Sequence, residues 1–104
     1  SESGPSGGLI TTLEIYNQLT KKDITKGNKI AGTGTIEEDG SIGQIGGVEH
    51  KILGASKDKA TYFLVPSGQN YKDALKYKKD KNLKIKLIEV KSIEDAISKL
   101  EELR

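Results

Sequence analysis

The 104-residue chain contains no cysteine, no methionine and no tryptophan, with one phenylalanine and one histidine. Without thiols there can be no disulfide framework, thiolate zinc site, iron–sulfur cluster or cysteine nucleophile. A single histidine excludes a multi-histidine metal centre, and no metal or cofactor is expected. No apolar run approaches the roughly 18 residues that cross a bilayer, and no signal peptide opens the sequence, so the chain itself is expected to be soluble. Excess charge of one sign is also lacking: 17 basic residues face 15 acids, for a net charge of +2. Arginine occurs once against 16 lysines. Lysine suits a solvated surface, whereas readers of bases and phosphates favour the arginine fork. The densest basic stretch, residues 72–86, carries seven lysines beside Asp73 and Asp80 and reads as a solvated helix face and loop. What is present suffices for one small core. Leu, Ile, Val and Phe number 26 of 104, above the disorder-prone range.

Residues 1–8 are Gly/Ser-rich and lead into a periodic segment. Leu9, Leu13 and Tyr16 recur at i, i+4 and i+7, which predicts an amphipathic helix of about 12 residues starting near residues 6–8. Residues 21–27 form a polar connection. Residues 29–36 predict a strand, Glu37-Glu38-Asp39-Gly40 a hairpin turn, and residues 41–45 the returning strand. Gly46-Gly47 opens a helix over residues 48–57. Residues 61–65 are a continuous apolar run halted by Pro66, which suits a buried strand. Asn70 with Asp73 has the spacing of a capping pair and predicts a helix to about Lys79, followed by a strand over residues 84–90. Ser92 with Asp95 caps a last helix with Ile93, Ala96, Ile97, Leu100 and Leu103 on one stripe. Helix–β-hairpin–helix followed by βαβα predicts an α/β fold with at least one right-handed parallel crossover. No internal repeat or linker interrupts it.

Three places offer chemistry. Gly4-Pro5-Ser6-Gly7-Gly8 sets a serine at a helix start, among glycines that let a ligand approach the backbone. Helix-start N–H groups and the positive dipole end can hold an oxyanion or another anion. Ser6 can therefore be a helix cap, a nucleophile or part of an anion site. His50 lies off the apolar stripe of its helix and reads as an exposed polar residue. Lys51, on the same helix, falls about 40° from Ala55 and about 60° from Val48 on the helical wheel, at the rim of the buried stripe. A lysine there either snorkels or loses its charge. Only the neutral amine can take a serine's proton, and moving an amine from ~10.4 to ~7 takes about 4–5 kcal/mol of environment.

Other patterns are weaker. Ser56 and Lys59 form a Ser-x-x-Lys pair without the companion motifs of penicillin-binding enzymes. Gly32-Thr33-Gly34 lacks the third glycine of a dinucleotide loop and the Gly-Lys of a phosphate loop. Gly43-Gln44-Ile45-Gly46 has the G-x-x-G spacing of a KH-type RNA clamp, but follows a hairpin rather than a helix. An RNA-binding alternative would use this segment with the surface of residues 72–86 and show affinity falling steeply with salt.

Taken together and in order, three motifs resemble the proteolytic domain of Lon-type serine peptidases. They are Gly4-Pro5-Ser6-Gly7-Gly8, Gly32-Thr33-Gly34-Thr35-Ile36 and Gly46-Gly47-Val48-Glu49-His50-Lys51. The resemblance extends over nearly the whole chain, through residues 62–66 to the last helix. Leu13-Glu14-Ile15-Tyr16-Asn17-Gln18-Leu19-Thr20 with Ile30-Ala31-Gly32-Thr33-Gly34 is similar to a subgroup, the membrane-anchored Lon-like proteases of Gram-positive bacteria that carry a PDZ domain. The resemblance implies a Ser-Lys dyad. Ser6 matches the nucleophile, Lys51 the general base, and Thr33 the threonine that orients the lysine amine. Backbone N–H groups of Ser6 and Gly7 would form the oxyanion site.

The implied function is an ATP-independent serine endopeptidase acting on peptide or protein substrates, with no metal, cofactor or nucleic acid. The alternative is a catalytically silent Lon-like module that binds a peptide or an anion. Gly7 stands where the family usually has alanine. The chain starts five residues before Ser6, so residues 1–104 are expected to be the C-terminal portion of a catalytic domain truncated at its N-terminus. The upstream strands, PDZ domain and anchor would lie outside the chain. The resemblance puts the parent protein at the cell membrane with its catalytic domain outside the cytoplasm.

Overall fold

The computed structural model describes residues 5–103. Gly4, the first residue of the serine motif, lies outside them. A 3-10 turn, Pro5–Gly7, leads into α1, Gly8–Thr20. Short strands β1, Ile30–Gly32, β2, Thr35–Ile36, and β3, Ile42–Gly43, follow. Next come α2, Val48–Lys57, β4, Tyr62–Pro66, α3, Gln69–Lys81, β5, Lys86–Val90, and α4, Ile93–Glu101.

Three strands form a parallel sheet in the order β1-β4-β5, with Ile30 opposite Tyr62 and Phe63 opposite Leu87. Two parallel crossovers connect them, one through α2 and one through α3. β4 is central, so both of its faces are covered, which explains its unbroken apolar sequence. Its side chains alternate between two cores as the pleat requires. Leu64 packs with Leu9, Leu13, Val90, Ala96 and Leu100 beneath α1 and α4. Phe63 and Val65 pack with Val48, Ile52, Ala74 and Ile85 beneath α2 and α3. The result is a helix–sheet–helix sandwich. Among the described residues, no helix is long and apolar enough to cross a membrane.

Several expectations are corrected. The single strand over residues 29–36 is two strands in different sheets. The Thr33 N–H still bonds the Leu64 carbonyl at 3.1 Å, but the Gly34 N–H turns away to the Ser6 carbonyl at 2.9 Å. Gly34 has φ +150°, and an added Cβ would lie 2.7 Å from Ile42 Cγ2. The chain leaves the parallel sheet there and pairs antiparallel with β3. The returning strand is shorter than residues 41–45, because Gln44 and Ile45 bond to the start of α3 instead. Strand β5 is likewise shorter than residues 84–90, starting at Lys86.

Asn70 and Asp73 are not a capping pair. Gly68 occupies the cap position with no side-chain cap bond, Asn70 lies inside the helix, and Asp73 accepts from Gln69 Nε2 at 2.8 Å. The helix also runs past Lys79 to Lys81, where Asn82 adopts a left-handed conformation and ends it. The Ser92 cap is found as expected, its hydroxyl accepting from the Asp95 N–H at 3.0 Å while the Asp95 carboxylate accepts from the Lys91 N–H at 2.9 Å. The Asp-Gly hairpin turn is also found, closed by the Gly40 N–H on the Glu37 carbonyl at 2.9 Å.

The connection from α1 to β1 is built around Asp23. Its carboxylate accepts from the Thr25 hydroxyl at 2.5 Å, the Thr25 N–H at 3.0 Å and the Gly27 N–H at 3.2 Å. These bonds, the hydroxyl's foremost, hold the Asp23 carboxyl below its ordinary value. A depressed folded value contributes stability above the unfolded value of about 3.9 that is lost as pH falls through the folded one. Asp23→Asn should therefore lower the urea midpoint at about pH 7, and its deficit should shrink at about pH 2.5. A deficit that does not change with pH contradicts this assignment.

Candidate active site

The end of β1 joins the two helices expected to carry chemistry. Ser6 lies in the 3-10 turn, half-buried, and is not a helix cap. Gly7 holds that position, buried, and no side chain caps α1. Its main chain is held from below. The Ser6 carbonyl accepts from the Gly34 N–H at 2.9 Å and from Thr33 Oγ1 at 3.3 Å. Two residues past the turn, the Leu9 N–H returns a bond to the Gly34 carbonyl at 3.0 Å. Thr33 is fully buried, so its hydroxyl needs this partner. Main-chain bonds in both directions thus lock the serine turn onto Thr33 and Gly34.

Lys51 comes from the opposite layer. It sits in the first turn of α2, its N–H on the Gly47 carbonyl at 3.2 Å. It is half-buried, as its place beside Val48, Ile52 and Ala55 requires. Its side chain lines an open cleft of about 530 Å³ whose floor includes Ala31, Gly32 and Phe63. His50 is exposed, as expected, yet it too borders the cleft. At the far end Asp58 pairs with Lys29 at 3.3 Å. Gly32 therefore lies against the lysine cleft, while Thr33 and Gly34 hold the serine turn. The serine turn is thus fixed on Thr33 and Gly34, and the lysine cleft borders the adjoining Ala31 and Gly32, near the carboxyl end of β1, where ligand sites of parallel sheets generally form.

The bond that Thr33 shows goes to the Ser6 main chain, a contact the family resemblance does not imply. Other sequence candidates fall elsewhere. Ser56 and Lys59 lie near the C-terminal end of α2 and just beyond it, Lys59 exposed and in a left-handed conformation. In the G-x-x-G segment, the Ile45 N–H is engaged by Asn70 Oδ1 at 2.7 Å. On the lysine-rich surface of residues 72–86, Lys76 pairs with Asp80 at 2.6 Å. Sequence reasoning read Asn70 as a helix cap and Gln44 as part of the G-x-x-G segment; their side chains instead tie the segment before α2 to the start of α3. An asparagine near a helix start is most simply a cap, and nothing local marks this one as buried.

The serine turn and the lysine-bearing helix of this α/β domain both lie near the end of β1. The family model described as the Lon protease (S16) C-terminal proteolytic domain matches residues 1–102. The chain is 32% identical over 96 residues to the Lon protease of Trichlorobacter lovleyi, covering 92% of this chain and 11% of that protein. It is 32% identical over 97 residues to the Lon protease of Endomicrobium trichonymphae, covering 93% and 12%. Against the Lon protease of Clostridioides difficile it is 38% identical over 65 residues, covering 62% and 8%. The chain belongs to the Lon protease C-terminal proteolytic domain family, and its mixed α/β fold with a parallel sheet and four helices accords with that. It spans about one-ninth of the length of the first of these relatives.

The Gly34 junction has a direct test. Gly34→Ala puts a side chain in a backbone region that only glycine adopts readily, and against Ile42. It should cost about 1–3 kcal/mol of stability, read as a lower urea midpoint. An unchanged midpoint contradicts the junction as described.

Proposed function

We propose that this chain is the C-terminal part of a serine endopeptidase domain in which Ser6 is the nucleophile and Lys51 the general base. The observation that carries the reading is the meeting of both elements on Gly32, Thr33 and Gly34, the serine through main-chain bonds and the lysine through the cleft. Family membership supports peptide-bond hydrolysis as the reaction.

In this mechanism the neutral Lys51 amine takes the Ser6 Oγ proton as the oxygen attacks the scissile carbonyl carbon. The carbonyl π pair moves onto oxygen, and the oxyanion faces the Ser6 and Gly7 N–H groups at the start of α1. Collapse breaks the C–N bond, and the lysine ammonium returns its proton to the leaving amine. Water, deprotonated by the same amine, then adds to the acyl-enzyme, and collapse breaks the ester C–O bond as the lysine ammonium returns the proton to Ser6 Oγ. Thr33 keeps the nucleophile's main chain at a fixed height above β1. The cycle uses no ATP and no metal. The likeness of residues 13–20 to PDZ-containing Lon-like proteases of Gram-positive bacteria supports a membrane-anchored parent protein that cleaves extracytoplasmic polypeptides.

Three substitutions in the full-length protein test the dyad with a fluorogenic peptide. Ser6→Ala, Lys51→Gln and Lys51→Arg should each cut turnover by about a thousandfold or more while far-ultraviolet circular dichroism stays unchanged. Arginine keeps the charge but cannot act as the base. Retained turnover in any of the three overturns the assignment.

A further inference from the structure

The loop that delivers Lys51 is not held by its own sequence. Residues 44–47 contain two glycines, and Gly47 takes a left-handed φ of +70° at the start of α2. Such a segment has many accessible conformations, so the direction in which α2 sets off must be imposed from outside. The constraint comes from α3. Asn70 is buried, and its amide clasps the main chain of Ile45 on both sides: Oδ1 accepts from the Ile45 N–H at 2.7 Å, and Nδ2 donates to the Ile45 carbonyl at 2.9 Å. Gln44 completes the tie in the other direction. Its Oε1 accepts from the Asn70 N–H at 2.8 Å, an otherwise orphan donor of the first turn of α3, and its Nε2 donates to the Ser67 carbonyl at 2.5 Å.

Four hydrogen bonds thus join two consecutive residues of the loop to the junction of β4 and α3. Two residues beyond this tie, the Gly47 carbonyl accepts the Lys51 N–H. The path from Asn70 to the Lys51 main chain is therefore short and carried by hydrogen bonds and covalent links, with glycine the only unconstrained residue type along it. β4, the most buried strand of the sheet, is the anchor.

We infer that Asn70, seconded by Gln44, is a positioning residue that aims the Lys51 amine at the Ser6 hydroxyl. The inference rests on the dyad reading above. Asn70 touches neither reacting group. Its effect passes through Ile45, Gly46 and Gly47 to the pitch of α2. An amide is required because the N–H and the carbonyl of one residue, Ile45, must both be met, one by an acceptor and one by a donor. Aspartate at this place would keep the acceptor for the Ile45 N–H and turn a second acceptor on the Ile45 carbonyl.

The test uses the full-length protein carrying Asn70→Ala, Asn70→Asp, Lys51→Gln or, as a control in the other core, Leu100→Val. Each variant is assayed where circular dichroism shows it folded, with kcat and KM measured on a fluorogenic peptide and amide hydrogen exchange followed over residues 45–51. The positioning role predicts that Asn70→Ala lowers kcat about 10- to 100-fold, since a misplacement of about 1 Å costs up to that much. KM should stay within about twofold, and exchange over residues 45–51 should accelerate. Asn70→Asp should fall between Asn70→Ala and the parent, and Leu100→Val should keep the parent's kcat per folded molecule. If Asn70→Ala fails to fold, Asn70→Asp carries the same comparison. Parental kcat in the Asn70 variants with a dead Lys51→Gln overturns the positioning role and leaves the dyad standing. Equal losses in the Asn70 variants and Leu100→Val also overturn it, because a purely structural role would produce them. Retained turnover in Lys51→Gln overturns the dyad and this inference together.

Discussion

The carbonyl of Ser6 is the point on which the site depends. It receives the Gly34 N–H and the Thr33 hydroxyl, and the Leu9 N–H closes the circuit on the Gly34 carbonyl. A serine in a glycine-rich turn would otherwise have wide conformational freedom. Here the turn inherits the rigidity of β1, which is itself paired to β4, buried from Phe63 to Pro66. The same junction ends β1, starts the β2–β3 hairpin and leaves Gly32 facing the lysine cleft. Breaking one strand into two is therefore what creates a place for the serine turn to dock.

The two halves of the site come from opposite layers of the sandwich. α1 packs with α4 over one face of the sheet, and α2 packs with α3 over the other. One layer carries Ser6 and the other Lys51. The sheet transmits position from one side to the other, and its most buried members, Phe63, Leu64 and Val65, give it a defined geometry. On the serine side the link is main chain to strand end. On the lysine side it is a buried asparagine and its glutamine neighbour, acting on a loop of glycines. Backbone amides and two side-chain amides fix both elements to the sheet, in a chain with few aromatic residues and no cysteine.

Much of this was legible from local pattern. The periodic apolar residues of α1 and α4, the unbroken run of β4 and the Ser92 cap all act within a few residues of where they occur. The Asp-Gly turn does too. Lys51 at the rim of a buried stripe followed from the helical wheel alone. What was not legible depends on partners distant in sequence. Residues 29–36 alternate and branch like one strand, and only the meeting of Gly34 with Ser6, 28 residues earlier, shows why it breaks. Asn70 has a cap's composition and spacing. Its burial against Ile45 is a tertiary fact that overrides the local preference. Thr33 illustrates the same limit. The family motif implied a threonine that orients the lysine amine, whereas its bond to the serine's own carbonyl is visible only in three dimensions.

The proposed chemistry requires that the amine at the start of α2 and the hydroxyl before α1 meet across the end of β1. The most direct measurement is the distance from Ser6 Oγ to Lys51 Nζ in a crystal of the full-length enzyme, with an acyl or peptide analogue bound to order the site. The account predicts about 3 Å, within hydrogen-bond reach. A lysine amine directed into bulk water, far from the serine hydroxyl while the analogue occupies the site, would contradict it.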